Sequence, residues 1–117
     1  MSSLSQKDIV LVPFPFSDQL GAKKRPVLVV SNNSMNFDRA HCDFIGVAIT
    51  SKIRGGNYRL KIDNADTVSG FLPKKSEINC DKIASIPKNF IVKKICSLNN
   101  RSFTKVESIL KQVFNIN

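Results

Sequence analysis

The sequence predicts a mainly β fold with an α addition: a small, strongly bent antiparallel sheet or partly open barrel, ending in a C-terminal helix. Several short apolar or alternating segments are separated by glycine, proline and polar turns, as in small all-β domains. Helical spacing is clear only in the last segment. With 117 residues, the chain is expected to form one domain spanning 1–117, large enough for a core without metals or disulfides.

The first strand is predicted over Ile9 to Phe16, a near-continuous apolar run broken by Pro13 and Pro15. Neither proline donates a ladder hydrogen bond, so the end of this strand belongs at a sheet edge or bends away. A polar loop follows, with Gly21 at a turn position and the cationic run Lys23, Lys24 and Arg25 at its end. Val27 to Val30 is β-branched and apolar on both faces, the signature of a central strand. Asn32 to His41 is polar and reads as a loop or helical turn.

Phe44 to Ile49 returns to strand character, with Gly46 marking a bulge or a close backbone approach. It ends at Thr50 and Ser51, before the basic loop from Lys52 to Gly56. Tyr58, Leu60 and Ile62 alternate with Arg59, Lys61 and Asp63, which predicts a strand with its polar face in water. Two more strands are expected over Ser76 to Ile86 and Phe90 to Leu98. In the final segment Val106, Ile109, Leu110, Val113 and Phe114 share one helical face, and Thr104 with Glu107 fits a capping box at its start.

The formal charge of +9 is large for this length and points to nucleic acid, an anionic surface or an acidic protein partner. The three cysteines, Cys42, Cys80 and Cys96, form no CxxC pair, and His41 is the single histidine. That composition disfavours a structural zinc site and fits reduced thiols in the cytoplasm. No apolar run approaches the ~18 residues of a membrane span, and the N-terminus lacks the apolar core of a signal peptide.

Three polar clusters fall at strand ends or in loops: Ser17 and Asp18 with Lys23 to Arg25; Thr50, Ser51 and Lys52; and Asn79, Cys80, Asp81 and Lys82. Arginine presents a planar fork to two phosphate oxygens, and Pro26 biases Arg25 toward an extended backbone. Hydroxyls at Thr50 and Ser51 add neutral donors. The competing reading is a solvated cationic loop and an ordinary turn. Asp81 sits between Ile78 and Ile83, and reads either as a base or as the partner of a nearby cation that orders the site. Phe14 and Phe16 read as core residues or as stacking platforms for unpaired bases.

In order along the chain, DIVLVPFPF, a glycine-containing loop, KRPVLVVS, VAITS and INCDKI resemble the PemK/MazF toxins, the mRNA interferases of toxin–antitoxin modules. The resemblance runs from Asp8 through the terminal helix. It implies an SH3-like barrel, a homodimer, a cognate antitoxin and cleavage of single-stranded RNA without a metal or other cofactor. A ribose 2′-hydroxyl attacks the adjacent phosphate, leaving a 2′,3′-cyclic phosphate and a 5′-hydroxyl.

By that resemblance Arg25 and Thr50 are catalytic, with Asp81 the candidate base and Arg25 the candidate to double as acid. Ser17, Asp18, Lys23, Lys24, Ser51, Lys52 and Lys82 are expected to contact RNA. Asn79 stands where some relatives carry a proton-donating arginine, and Lys82 replaces a glutamine; a histidine of some relatives' first loop is absent, with Ser17 and Asp18 nearby. Two alternatives use the same fold: a non-catalytic RNA- or protein-binding barrel, and a toxin directed at DNA gyrase through its terminal helix.

Overall fold

The computed structural model describes residues 4–13 and 24–117. Phe14 to Phe16, Ser17, Asp18, Gly21 and Lys23, all named above, lie outside the described residues.

The strands are β1 (Asp8–Pro13), β2 (Lys24–Val29), β3 (Asp43–Thr50), β4 (Arg59–Ile62), β5 (Thr67–Val68), β6 (Ser76–Pro87) and β7 (Lys93–Leu98). They form one curled, half-barrel antiparallel sheet in the order β4-β6-β3-β2-β1-β7-β5. The helices are a short α1 (Asn33–Phe37) and the terminal α2 (Asn100–Phe114). Among the described residues, no helix is long and apolar enough to cross a membrane.

Alternation divides the core into two layers. Leu28, Val47, Ile49, Ile78 and Cys80 pack beneath α2, where Phe103 and Val106 join them. Val27, Val29, Ala48, Val12 and Phe44 pack on the opposite face. Apolar residues on both faces of β2 make it the interior strand its sequence predicts, between β1 and β3. Gly46 lies in β3 opposite Val29. A Cβ there would stand 2.3 Å from Val27 Cγ1, so glycine serves close packing between strands rather than a turn.

The ladder between β3 and β6 shifts register between Val47, paired with Ile83, and Ala48, paired with Asn79. Cys80, Asp81 and Lys82 therefore form a bulge on β6. Bulges of this kind bend a strand and re-aim its side chains.

Four expectations are corrected. Tyr58 is not a buried strand residue: it precedes β4, has φ +68° and is exposed. The β7 strand starts at Lys93, whereas Phe90 closes a 3₁₀ turn over Lys88–Phe90 and is exposed. The helix α2 starts earlier than the Thr104–Glu107 pattern implies. Its N-cap is Asn99, whose side chain accepts from the Ser102 amide at 2.9 Å, and Thr104 instead donates back to the Asn100 carbonyl. Finally, Phe103 and Val106 are the buried anchors of α2, while Phe114 is 59% exposed.

Candidate functional site

Two strand ends place the chief candidates. In the antiparallel register of β2 and β3, Val27 pairs with Ala48. Arg25 and Thr50 each lie two residues beyond that pair, toward the same end of the sheet. Both fall on the face of Val27 and Ala48, away from α2, because side chains two apart share a face. Each is half-buried. Arg25 also pairs with Val12 of β1, which holds its backbone extended as the following Pro26 requires.

The Thr50 hydroxyl is already oriented. Its oxygen accepts from the Lys52 amide at 3.1 Å, forming a tight turn at the strand end. A hydroxyl with an occupied lone pair still has its proton to donate. Ser51 and Lys52 follow at exposed positions, and Lys24 is exposed beside Arg25.

Directly across β6, Thr50 faces Glu77, which sequence reasoning missed. Glu77 is fully buried. Its Oε2 accepts from the backbone amides of Arg54 at 3.2 Å and Gly55 at 2.8 Å. Its Oε1 accepts from Arg59 Nη1 at 3.4 Å. A buried carboxylate needs such partners, since desolvation without them costs several kcal/mol or more, roughly. The signal was present in the sequence: an acid within an apolar strand of an acid-poor chain. That same reasoning, applied to Asp81, passed over the carboxylate four residues earlier in the same strand.

Arg59, read as a solvated strand residue, lies opposite Asn79 on β6 and reaches both carboxylates. Its Nη2 stands 3.6 Å from Asp81 Oδ2. Asp81 is thus paired with a cation, and its side chain remains 40% exposed. Lys82, beside it in the bulge, is exposed. Asn79 is buried, and its Oδ1 has no hydrogen-bond partner.

The other reactive groups lie elsewhere or are silent. His41 and Cys42 precede Asp43, the end of β3 that lies roughly 23 Å from Thr50 by strand rise. Burial, with the charge of Asp81 adding to it, pushes the Cys80 thiol up to about 12, so it is no nucleophile at neutral pH. Burial likewise raises Cys96. Lys24, Arg25, Thr50, Ser51 and Lys52 thus fall at one end of β2 and β3, while Asp81 and Lys82 lie in the β6 bulge, beside the Val47 and Ala48 rungs. A half-buried guanidinium, an oriented hydroxyl and surrounding cations suit a phosphodiester, whose charge rises as it is attacked.

Residues 5–114 match the family described as the PemK-like, MazF-like toxin of type II toxin–antitoxin systems. Among solved structures, the chain is similar to a mycobacterial endoribonuclease in complex with its cognate antitoxin, with a TM-score of 0.78, 19% identity and 98% of each chain covered. It also resembles the Mycobacterium tuberculosis toxin MazF-mt6, with a TM-score of 0.73 and 20% identity over 94% of this chain and 98% of that one. MazF from Deinococcus radiodurans gives a TM-score of 0.75 and 14% identity over 99% of this chain and 100% of that one. No curated protein matches the sequence.

Proposed function

Because the chain belongs to the PemK-like, MazF-like toxin family of type II toxin–antitoxin systems, we propose that it is an endoribonuclease cutting single-stranded RNA by 2′-hydroxyl attack. The observation that carries this reading is the placement of Arg25 and Thr50 on one face at the ends of adjacent strands, two residues beyond the Val27–Ala48 pair, with the Thr50 oxygen held by the Lys52 amide.

In this reaction the ribose 2′-oxygen forms a bond to the neighbouring phosphorus and the bond from phosphorus to the 5′-oxygen breaks. The attacking hydroxyl gives up its proton, for which exposed Asp81 is the candidate acceptor. The departing 5′-oxygen takes a proton, with Arg25 the candidate donor. An alkoxide is basic enough to draw a proton even from a guanidinium. The pentacoordinate phosphorane bears more charge than the starting diester, so Arg25 stabilises it selectively, and the Thr50 hydroxyl holds a non-bridging oxygen. Lys24, Lys52 and Lys82, with Ser51, steer and seat the flanking phosphates. Ser17, Asp18 and Lys23 are assigned to the same RNA path from sequence.

A cognate antitoxin with an acidic or amphipathic segment would cover this basic end of the sheet. The neighbour solved with its antitoxin supports that partner. A homodimer and a cytoplasmic setting complete the proposal. Incubating the purified protein with RNA in EDTA and mapping the ends tests it: cyclic phosphate and 5′-hydroxyl termini are expected, and intact RNA would refute it.

A second reading has one observation behind it. Asp81 is tied to Arg59, and Asn79 carries no transferable proton of suitable acidity. A barrel that binds RNA without cutting it would show steeply salt-dependent binding and no product.

A further inference from the structure

Glu77 occupies a fully buried position near the start of β6, where an apolar side chain would satisfy packing alone. What its carboxylate adds is a set of bonds to the loop between β3 and β4. It accepts the amides of Arg54 and Gly55 and faces the Arg59 guanidinium, which also reaches Asp81. The loop has little rigidity of its own: Gly55 and Gly56 have φ +72° and +106°, and neither has packing atoms within 4 Å of its Cβ position. Its first residues nevertheless include Lys52, whose amide fixes the Thr50 oxygen at 3.1 Å.

We propose that Glu77 is a positioning residue for the Thr50 hydroxyl, acting through the β3–β4 loop. It pins Arg54 and Gly55, which sets the path of Lys52, which in turn decides where the Thr50 proton points. The proposal deepens the endoribonuclease reading and rests on it. Asp81 is held by the same device, since Arg59 bridges the two carboxylates.

Glu77→Gln keeps the shape and an acceptor but removes the charge and introduces donors facing donors. Turnover should fall about tenfold or more, as displaced reacting groups lose rate steeply. RNA affinity should stay within about twofold, because Thr50 donation matters chiefly in the transition state. The amides of Lys52, Arg54 and Gly55 should exchange faster with solvent. Glu77→Asp, which retains charge with less reach, should recover part of the turnover and serves as the test if Glu77→Gln fails to fold.

Faster loop exchange with unchanged turnover would overturn the proposal. So would parallel loss of turnover, affinity and melting temperature, the mark of a merely structural role. If wild-type protein cuts no RNA, the endoribonuclease reading itself fails. The positioning role is then read by NMR, titrating a 2′-deoxy oligonucleotide and following the Thr50 resonance. Loss of its shift in Glu77→Gln supports positioning, and its persistence refutes it.

Discussion

Thr50 and Glu77 share one rung of the β3–β6 ladder, a half-buried strand-end hydroxyl facing a fully buried carboxylate. They are joined not directly but through the loop that leaves Thr50 and returns as β4. The basic surface and the sheet interior are thereby connected at the point where chemistry is proposed.

Arg25→Ala should reduce RNA cleavage by about 10²–10³, the scale for removing one transition-state donor. Thr50→Ala should act in the same range. Both residues are half-buried at strand ends, so melting should move little. Loss of cleavage with loss of cooperative unfolding would show a structural effect instead.

Gly46→Ala should destabilise the protein by about 1–3 kcal/mol, the usual cost of overpacking. The added Cβ meets Val27 Cγ1 at 2.3 Å, and Phe44 limits escape on the other side. Pairing it with Val27→Ala should recover part of the loss in urea unfolding. Additive losses would mean that the crowding lies elsewhere.

Asn99→Ala should cost about 1 kcal/mol, as loss of a helix N-cap does. Thr104→Ala should cost less, since its hydroxyl only bonds back within the helix. The reverse order would restore Thr104 as the start of α2.

Cys80 gives a pH dependence of defined sign. Its thiol ordinarily ionises near 9.0, and burial raises that to about 12 in the folded chain. Above pH 9 the unfolded state loses this proton while the folded state keeps it, so unfolding is increasingly favoured. The contribution is intact below pH 9 and lost progressively between 9 and about 12. Cys80→Ala should flatten that part of the stability profile. In native protein near pH 8, thiol reagents should modify exposed Cys42 and leave Cys80 and Cys96 untouched until the chain unfolds.

Much of the fold was legible because it rests on local periodicity. The doubly apolar Val27 to Val30 predicts an interior strand, and β2 is one; the spacing around Val106 predicts the terminal helix. The Arg-Pro step and the Thr-Ser end marked Arg25 and Thr50. What escaped depends on register. Arg59 meets Glu77 and Asp81 only because β4 pairs with β6, and no local pattern states that pairing. Tyr58 follows the alternation of β4 but sits one residue before it, where the turn out of Gly55 and Gly56 forces a left-handed backbone. Asn99 was overlooked because Thr104 and Glu107 supplied a more conspicuous capping pattern.

The bulge at Cys80, Asp81 and Lys82 separates two demands that a regular strand would fuse. Pairing with β3 resumes on either side of it, from Asn79 and from Ile83. The side chains at Asp81 and Lys82 are thus free of the ladder, and replacing them leaves the sheet's alignment alone. Such an insertion lets the chemistry at one point of the surface change while every strand keeps its neighbour.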